Sequence, residues 1–209
     1  MDVKIKVRAL AGNKGSEIIE GFAKQESEVK WSNPAPRPGE PVRLQALNDE
    51  EIMTGIQYYL LPVQRTDWHQ LLAKWSELIP ADSTPWLLSR FGELFLEQSD
   101  RKIGMLQVSG FQYQVVAEDK HDFEDWIADP DKVAEWFLAP LVDNLVSRGK
   151  SLSPGQCYSF ITPLGLGGQL IEENVMLIPI DEHFRCFGDI FQQIKELPDG
   201  SQIKLKIVE

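Results

Sequence analysis

Two cysteines and a histidine near the C-terminal end of the sequence are the residues most able to do chemistry. Cys157 begins the segment CYSFITPLGLGG, and His183 and Cys186 follow in DEHFRCFG. A thiol close to an imidazole can act as a nucleophile with its base. A histidine and a cysteine three residues apart on a helix could also bind zinc, with Cys157 as a third ligand. Neither arrangement is complete, because no fourth ligand and no nucleophile-elbow motif accompanies these residues. We expect buried thiols and no metal, cofactor or catalytic residue; a small enzyme using Cys157 and His183 is the weakest alternative.

The glycines that follow Cys157 could instead form a phosphate-binding loop. Gly165, Gly167 and Gly168 lie in the sequence PLGLGG. A Walker loop requires a lysine after its last glycine, and a dinucleotide-binding loop opens a helix directly after a strand. Here the chain continues as QLIEENVMLIP, so Glu172 and Glu173 would face the phosphates. The pattern therefore predicts a structural turn in which glycines allow close backbone approach or positive φ.

Negative charge is the most informative feature of the composition. The 209-residue chain has a formal net charge of -11, which argues against nucleic-acid binding because that function needs lysine and arginine to displace counterions. Residues 118–143 hold nine acidic and two basic residues, a local balance of -7. The candidate partner-binding carboxylates in this stretch are Asp122, Glu124, Asp125, Asp129, Asp131 and Glu135. We interpret them as a docking surface for a basic protein; a solvated helix face that aids solubility is the alternative.

A strand and a proline-rich segment precede the region that carries these residues. Apolar and charged residues alternate over 3–8, which predicts a strand with one solvated face. NPAPRPGEP at 33–41 excludes helix and regular strand pairing and predicts a linker. We therefore divide the chain into an N-terminal β-leaning extension, 1–45, and an α+β domain, 46–209.

Two helices are predicted after the linker. Asn48 and a glutamate three residues later have capping-box spacing, and the helix they begin is expected to end before Pro62. Asp67 is expected to cap a second helix, DWHQLLAKWSELI, whose apolar residues follow helical spacing until Pro80. Both helices should pack one apolar face against a sheet.

The centre of the chain predicts a sheet followed by more helices. GELFLEQ, KIGMLQV and FQYQVVA read as a three-stranded antiparallel meander, and we expect Phe111, Tyr113 and Val115 to share the face toward the core. Helical spacing then returns in two pieces separated at Asp129-Pro130. The second piece, which should end at Gly149, contains a proline expected to kink it.

The C-terminal third completes an α+β pattern. CYSFITP and VMLIPI are apolar enough for buried strands, DEHFRCFGDIFQQIKEL has the spacing of an amphipathic helix, and QIKLKIV alternates like the first strand. The predicted fold class is α+β: an antiparallel β-sheet, made of the central meander plus C-terminal strands, packed against several amphipathic helices.

Nothing in the sequence has the features of a targeting or membrane segment. MDVKIKVRAL alternates charged with apolar residues, unlike a signal peptide, and no stretch approaches the roughly 20 apolar residues of a membrane span. We expect a cytoplasmic protein that binds neither membranes nor nucleic acid. The oligomeric state is not predicted.

From Ser153 the sequence resembles the C-terminal region of bacterial immunity proteins, typified by the partners of type VI secretion DNase toxins and their SUKH, or cell-wall-assembly-regulator-like, relatives. The shared elements are PGQCY, the turn PLGLGG, the pair EN, the helix containing HF, and LPDG before the last strand. FGELFL at 91–96 and the stretch from Asp129 to Val142 fit the same pattern. The signature turn is formed by Gly165, Gly167, Gly168, Glu173 and Asn174.

The resemblance spans about residues 66–208 and implies a binding protein without a catalytic site. It suggests an intracellular immunity protein that neutralises a cognate secreted toxin, possibly a nuclease, by direct association. Because a nuclease is generally basic, the partner expected is a basic protein toxin. A general protein-interaction or scaffold module of the same fold, with no toxin partner, is the main alternative.

Overall fold

In a computed structural model of the chain, the described residues are 4–9, 55–63, 67–198, 201 and 203–208. The strands are β1 (Lys4–Ala9), β2 (Leu60–Leu61), β3 (Thr84–Ser89), β4 (Leu94–Glu97), β5 (Ile103–Gln107), β6 (Gln112–Ala117), β7 (Gln156–Phe160), β8 (Val175–Pro179) and β9 (Ile203–Val208). The α-helices are α1 (Trp68–Leu72), α2 (Lys120–Ile127), α3 (Pro130–Phe137), α4 (Ala139–Ser147) and α5 (Ile180–Ile194). The predicted linker 33–41 and the predicted helix start at Asn48 lie outside the described residues.

An antiparallel five-stranded sheet in the order β2-β3-β4-β5-β6 forms the centre of the fold. Side chains of successive strand residues point to opposite faces, and both faces of this sheet are covered. Leu94 and Leu96 pack with residues of α1 and α5, whereas Phe95 packs with Phe123 of α2 and Phe137 of α3. The predicted α+β class, with an antiparallel meander packed against amphipathic helices, is confirmed. The C-terminal strands, which were expected to join this sheet, instead form two separate sheets.

Two smaller sheets complete the described structure. β7 pairs antiparallel with β8, and β1 pairs antiparallel with β9, with Lys4 opposite Val208 and Ala9 opposite Ile203. The strands predicted at the two ends of the sequence therefore pair with each other. β1 belongs to the extension 1–45, so this part of the extension is joined to the predicted domain by backbone hydrogen bonds. The division of the chain near residue 45 stays a prediction.

The two helices predicted around residues 48–80 both end earlier than their sequence patterns indicate. The first prediction is wrong at Leu60–Leu61, which form β2 and complete the edge of the central sheet beside β3. The second helix ends at Leu72 and continues as a 3-10 turn, Ala73–Trp75. This change from α-helix to 3-10 geometry ends at Trp75, whose buried ring lies parallel to that of Phe191 in α5, with ring centroids 5.5 Å apart. Tertiary packing of one large ring thus overrides local helical spacing.

The expected burial of Val115 in the meander is also wrong, since 48% of this residue is exposed. It lies on β6, which is the edge strand of the sheet. The register between β5 and β6 shifts between Ile103 and Gly104, and the half-buried Tyr113 ring occupies the space beside Gly104 where a side chain would otherwise stand. One aromatic ring therefore covers this part of the edge strand, and Val115 remains in solvent.

The single helix predicted from Asp131 to Gly149 is two helices. They meet at Leu138, which has a left-handed backbone (φ 52) two residues before Pro140. At the far end, Gly149 (φ 79) donates its N–H to the Val146 carbonyl, and the next residue donates to Leu145, which is the Schellman pattern of helix termination. In the described part of the chain, no helix has the length and apolar character needed to cross a membrane.

The break between α2 and α3 depends on Asp129, whose carboxylate accepts a hydrogen bond from the Asp131 N–H at 2.9 Å. Substitution Asp129→Ala should lower the free energy of unfolding by about 1 kcal/mol, because it leaves a helix N-terminal donor without its cap. Urea denaturation measures this change. Asp125→Ala is the matched control, because Asp125 is exposed and does not cap a helix; an equal loss in both variants would contradict the capping role.

Candidate functional site

The residues first considered for chemistry are buried and are not arranged for catalysis. Cys157 lies on β7 and is fully buried; burial, with a smaller contribution from the nearby Glu93 carboxylate, raises the pKa of its thiol well above the ordinary value. His183 is also fully buried, and burial lowers the pKa of its imidazole to about 3. Its Nδ1 lies 2.9 Å from the Ser159 hydroxyl oxygen rather than beside the thiol. A protonated thiol that solvent does not reach is a poor nucleophile.

His183 instead joins three parts of the fold. Its Nδ1 bonds to Ser159 on β7, and its ring centroid lies 4.7 Å from that of Phe187 on the same helix. Its Nε2 has no hydrogen-bond partner among the described residues and faces Gly92, in the turn between β3 and β4. A Cβ placed on Gly92 would lie 2.5 Å from Nε2, and the backbone there has φ 76. Only glycine fits this position without displacing the ring.

The described residues give the zinc hypothesis no support. They contain no set of three or more histidine, cysteine, aspartate or glutamate side chains placed to hold a metal ion. Cys186, the third residue of the zinc hypothesis, is half-buried on α5, where burial raises the pKa of its thiol.

The signature turn is built as its glycines predict. The Gly165 N–H donates to the Ser109 carbonyl at 3.0 Å, and a Cβ on Gly165 would lie 2.8 Å from the Gly110 carbonyl oxygen. Gly167 ends a short 3-10 helix, Leu164–Leu166, with φ 86. A Cβ on Gly168 would lie 1.9 Å from the Thr162 carbonyl oxygen. The prediction of a structural turn with close backbone approach is confirmed.

Asn174 closes the loop between β7 and β8. Its side-chain oxygen accepts a hydrogen bond from the Thr162 N–H at 2.8 Å, and its side-chain nitrogen donates to the carbonyls of Thr162 and Gln169, each at 3.0 Å. One amide therefore satisfies three backbone groups that the irregular loop would otherwise leave without partners. The neighbouring Glu173 is exposed.

Glu172 anchors the same loop to α4, which the sequence did not predict. Its carboxylate lies 3.0 Å from Arg148 Nε and 3.4 Å from Lys150 Nζ. Asn144 of α4 also donates a hydrogen bond to it at 3.3 Å. The Glu172 side chain is only 16% exposed, so this network is better shielded than an ordinary surface ion pair.

Glu93 is a buried acid that sequence reasoning did not single out. It accepts hydrogen bonds from the Val108 N–H and the Ser109 hydroxyl, and burial raises the pKa of its carboxyl group to about 7. It lines a cavity of about 220 Å³ together with Gly165 of the signature turn and Glu135 of α3. A glutamate inside the apolar run FGELFL was the available signal, because acids are rarely buried unless they are hydrogen-bonded.

The six candidate carboxylates occupy α2, α3 and the junction between them, with differing surroundings. Asp122 is half-buried and accepts a hydrogen bond from the Glu118 N–H at 2.9 Å, and Asp129 caps α3. Glu124 is half-buried, and Asp125, Asp131 and Glu135 are exposed. Of these, Glu135 pairs with Lys132 at 2.8 Å. The predicted acidic surface therefore contains both helix-capping and outward-facing acids.

The aromatic residues that alternate with these acids along the sequence are largely buried. Phe123, Trp136 and Phe137 lie in the core, whereas Trp126 is exposed. The Phe123 ring stacks on Trp136 with centroids 5.4 Å apart, so the two helices are joined through aromatic contacts below the acids. The exposed carboxylates of α2 and α3 are therefore carried by helices whose relative position is fixed by buried aromatic residues.

Comparison with known proteins identifies the class to which this region is related. Residues 117–191, from the end of β6 through most of α5, match the family described as T6SS immunity protein Tdi1, C-terminal. The resemblance to type VI secretion immunity proteins is therefore confirmed over these residues, which contain the acidic helices, the signature turn and His183.

Other comparisons add little. No curated protein matches the chain significantly. One similar solved structure is the crystal structure of Atu4351 from Agrobacterium tumefaciens, which is 16% identical, covers 81% of this chain and 94% of its own, and superposes with a TM-score of 0.46. This similarity is too distant to carry an argument about the present chain.

Steric coupling between Gly92 and His183 can be tested by a double-mutant cycle. Gly92→Ala should destabilise the protein by more than about 2 kcal/mol, because positive φ and a clash with the imidazole add together. In a His183→Ala background the same change should cost only about 1 kcal/mol, since the clash is gone. Gly149→Ala is the control, because Gly149 also has a positive φ (79) but no atom lies within 4 Å of the added methyl group. Equal effects of Gly92→Ala in both backgrounds would contradict the coupling.

Stability should depend on pH through Glu93. Because its pKa is about 7 in the folded protein and near 4.5 in the unfolded chain, the folded state binds more protons between these values, and the free energy of unfolding falls as pH rises through this window. Glu93→Gln keeps the shape and removes the titration. As pH rises from 4.5 to 7, the free energy of unfolding of the variant should increase relative to that of the wild type by up to about 3 kcal/mol.

Urea denaturation at several pH values measures this difference. Glu196→Gln, which removes an exposed carboxylate, is the control for the loss of one negative charge. A constant difference between Glu93→Gln and wild type across the window would show that Glu93 does not titrate there.

Proposed function

We propose that the protein neutralises a cognate type VI secretion toxin by direct association and does not catalyse a reaction. The match of residues 117–191 to a type VI secretion immunity family carries this proposal. The burial of Cys157 and His183 supports the non-enzymatic part, because a substrate could not reach either side chain without local unfolding. The protein would act in the cytoplasm, where it would meet a toxin that has entered the cell.

The proposed partner is a basic toxin, and a nuclease is the preferred activity. A nuclease needs positive surface to approach the phosphate backbone, and an acidic inhibitor complements that surface. The exposed carboxylates on α2 and α3 support this choice of partner. Asp125, Asp131 and Glu135 are the proposed contact residues that can be changed without removing a helix cap, while Asp122, Glu124 and Asp129 lie beside them.

Electrostatic attraction of this kind acts mainly on the rate of association. Exposed charges steer the partner toward a productive orientation, and salt screens them over about 10 Å at 0.1 M ionic strength. Tight binding also requires contacts that slow dissociation. The acidic surface is therefore proposed to select and guide the toxin rather than to supply most of the affinity.

Neutralising the three exposed acids together should slow toxin association. The variant Asp125→Asn, Asp131→Asn, Glu135→Gln should associate about tenfold more slowly at low salt and show a weaker salt dependence, because it retains less steering charge. The measurement is stopped-flow association with a catalytically inactive form of the cognate toxin, identified by its copurification with this chain from the native host.

The matched control changes the same net charge at exposed acids elsewhere, with Asp67→Asn, Asp181→Asn and Glu196→Gln. It should associate nearly as fast as the wild type. If both triple variants slow association equally, the total charge matters and the acidic surface is not the contact. If the wild type neither binds this toxin nor rescues growth when the active toxin is co-expressed, the immunity function itself is wrong.

A further inference from the structure

An open groove of about 510 Å³ separates α4 from the loop that precedes β8. Apolar side chains from α3 and α4 form one side of it, among them Ala134, Leu138 and Leu141. Leu170 and Ile171, from the loop, form the other side. The volume lies within the range of about 300–1,000 Å³ typical of ligand pockets. The groove is thus large enough to hold side chains of a partner.

Leu170 and Ile171 are more exposed than apolar residues of their size usually are. Leu170 is 54% exposed and Ile171 is 44% exposed. They are consecutive, and both face the same apolar groove, so they form a continuous patch rather than isolated exposed residues. Contiguous exposed apolar surface with polar residues around it is typical of an interaction site.

The loop is fixed on both sides of this pair. On one side the Asn174 side chain donates to the Gln169 carbonyl. On the other side, Glu172 is held by Arg148 and Lys150 at the end of α4. These polar contacts hold Leu170 and Ile171 at the groove edge in the unbound protein. A surface already held in its binding conformation loses less entropy when a partner associates.

Carboxylates lie at the edges of the groove. Asp131 lies three residues before Ala134 on α3, a spacing that places the two on the same side of that helix. Arg148 also lines the groove, but its guanidinium pairs with the Glu172 carboxylate. Glu173, next to Glu172 on the loop, is exposed and also lines the groove. An apolar groove with acidic edges is complementary to a segment that carries apolar side chains between lysines or arginines.

We propose that this groove is the docking site for a basic amphipathic segment of the cognate toxin, with Leu170 and Ile171 as its central contacts. The inference rests on the proposed function and adds the surface whose contacts determine how slowly the complex dissociates. The apolar groove slows dissociation, whereas the carboxylates on α2 and α3 speed association.

The test replaces the two apolar side chains without changing charge. Leu170→Ser and Ile171→Ser should each weaken binding to the inactive toxin domain by at least about tenfold, and the double variant by at least about a hundredfold. The loss should appear as faster dissociation and should persist at high salt, unlike that of the triple acid variant. Val115→Ser is the matched control, because Val115 is comparably exposed but lies outside the groove; its affinity should equal that of the wild type.

The outcomes separate the groove from the function. If the wild type binds the toxin and the double variant binds equally well, the groove proposal is overturned while the immunity function stands. If the wild type does not bind the toxin at all, both are overturned. If sedimentation shows that the wild type is a dimer and the double variant a monomer, the groove is occupied by a second copy and the toxin-docking proposal is wrong. Photo-crosslinking to the toxin from position 170, and not from position 115, would support it.

Discussion

The buried imidazole of His183 connects the parts of the structure that the functional region depends on. It bonds to Ser159 on β7, packs against Phe187 and lies over Gly92, so that one side chain contacts α5, the small β7–β8 sheet and a turn of the central sheet. A charged imidazole would be unstable in this site because burial disfavours its protonated form. Its low pKa keeps it neutral at physiological pH, so that the contacts of His183 are made by the uncharged ring. The strand that His183 holds is the one from which the signature loop begins.

The signature loop is a second place where polar side chains bond to other parts of the fold. Asn174 satisfies backbone groups of the loop, Glu172 pairs with side chains at the end of α4, and the glycines permit the close approach of chain segments. This accounts for a motif that resembles a phosphate loop but lacks its lysine. Cys157, His183, Asn174 and Glu172 thus stabilise the fold, and the loop exposes the apolar pair Leu170 and Ile171 beside Glu173. This division is consistent with the association proposed above, because a binding surface requires rigidity and shape more than reactive groups.

Sequence periodicity and turn chemistry predicted elements whose signal is local, and the prediction failed where long-range packing decided the outcome. The meander, α5 and the break at Asp129-Pro130 follow from alternation, helical spacing and proline chemistry. The conversion of Leu60–Leu61 from helix to strand depends on β3 being available as a partner, and the exposure of Val115 depends on its position at a sheet edge. The groove could not be predicted, because Leu170 and Ile171 read as ordinary apolar residues before a strand. Their exposure follows from contacts that hold the loop on both sides of them. Glu172 pairs with Arg148 and Lys150, and Asn174 bonds to Thr162 and Gln169.

The acidic stretch shows why counting charges in a sequence overstates what a partner can use. Asp122 and Asp129 lie at helix N-termini, where their carboxylates accept the N–H groups of Glu118 and Asp131 and interact favourably with the helix dipole. Helix stability is therefore sufficient to explain their presence. Asp125 lies in the last turn of α2, where negative charge opposes the dipole, and its position does not follow from helix stability. Glu135 lies in the last turn of α3, where its ion pair with Lys132 offsets the same opposition. An acid that a helix does not need is a stronger candidate for binding than one that it does, and Asp125 is exposed.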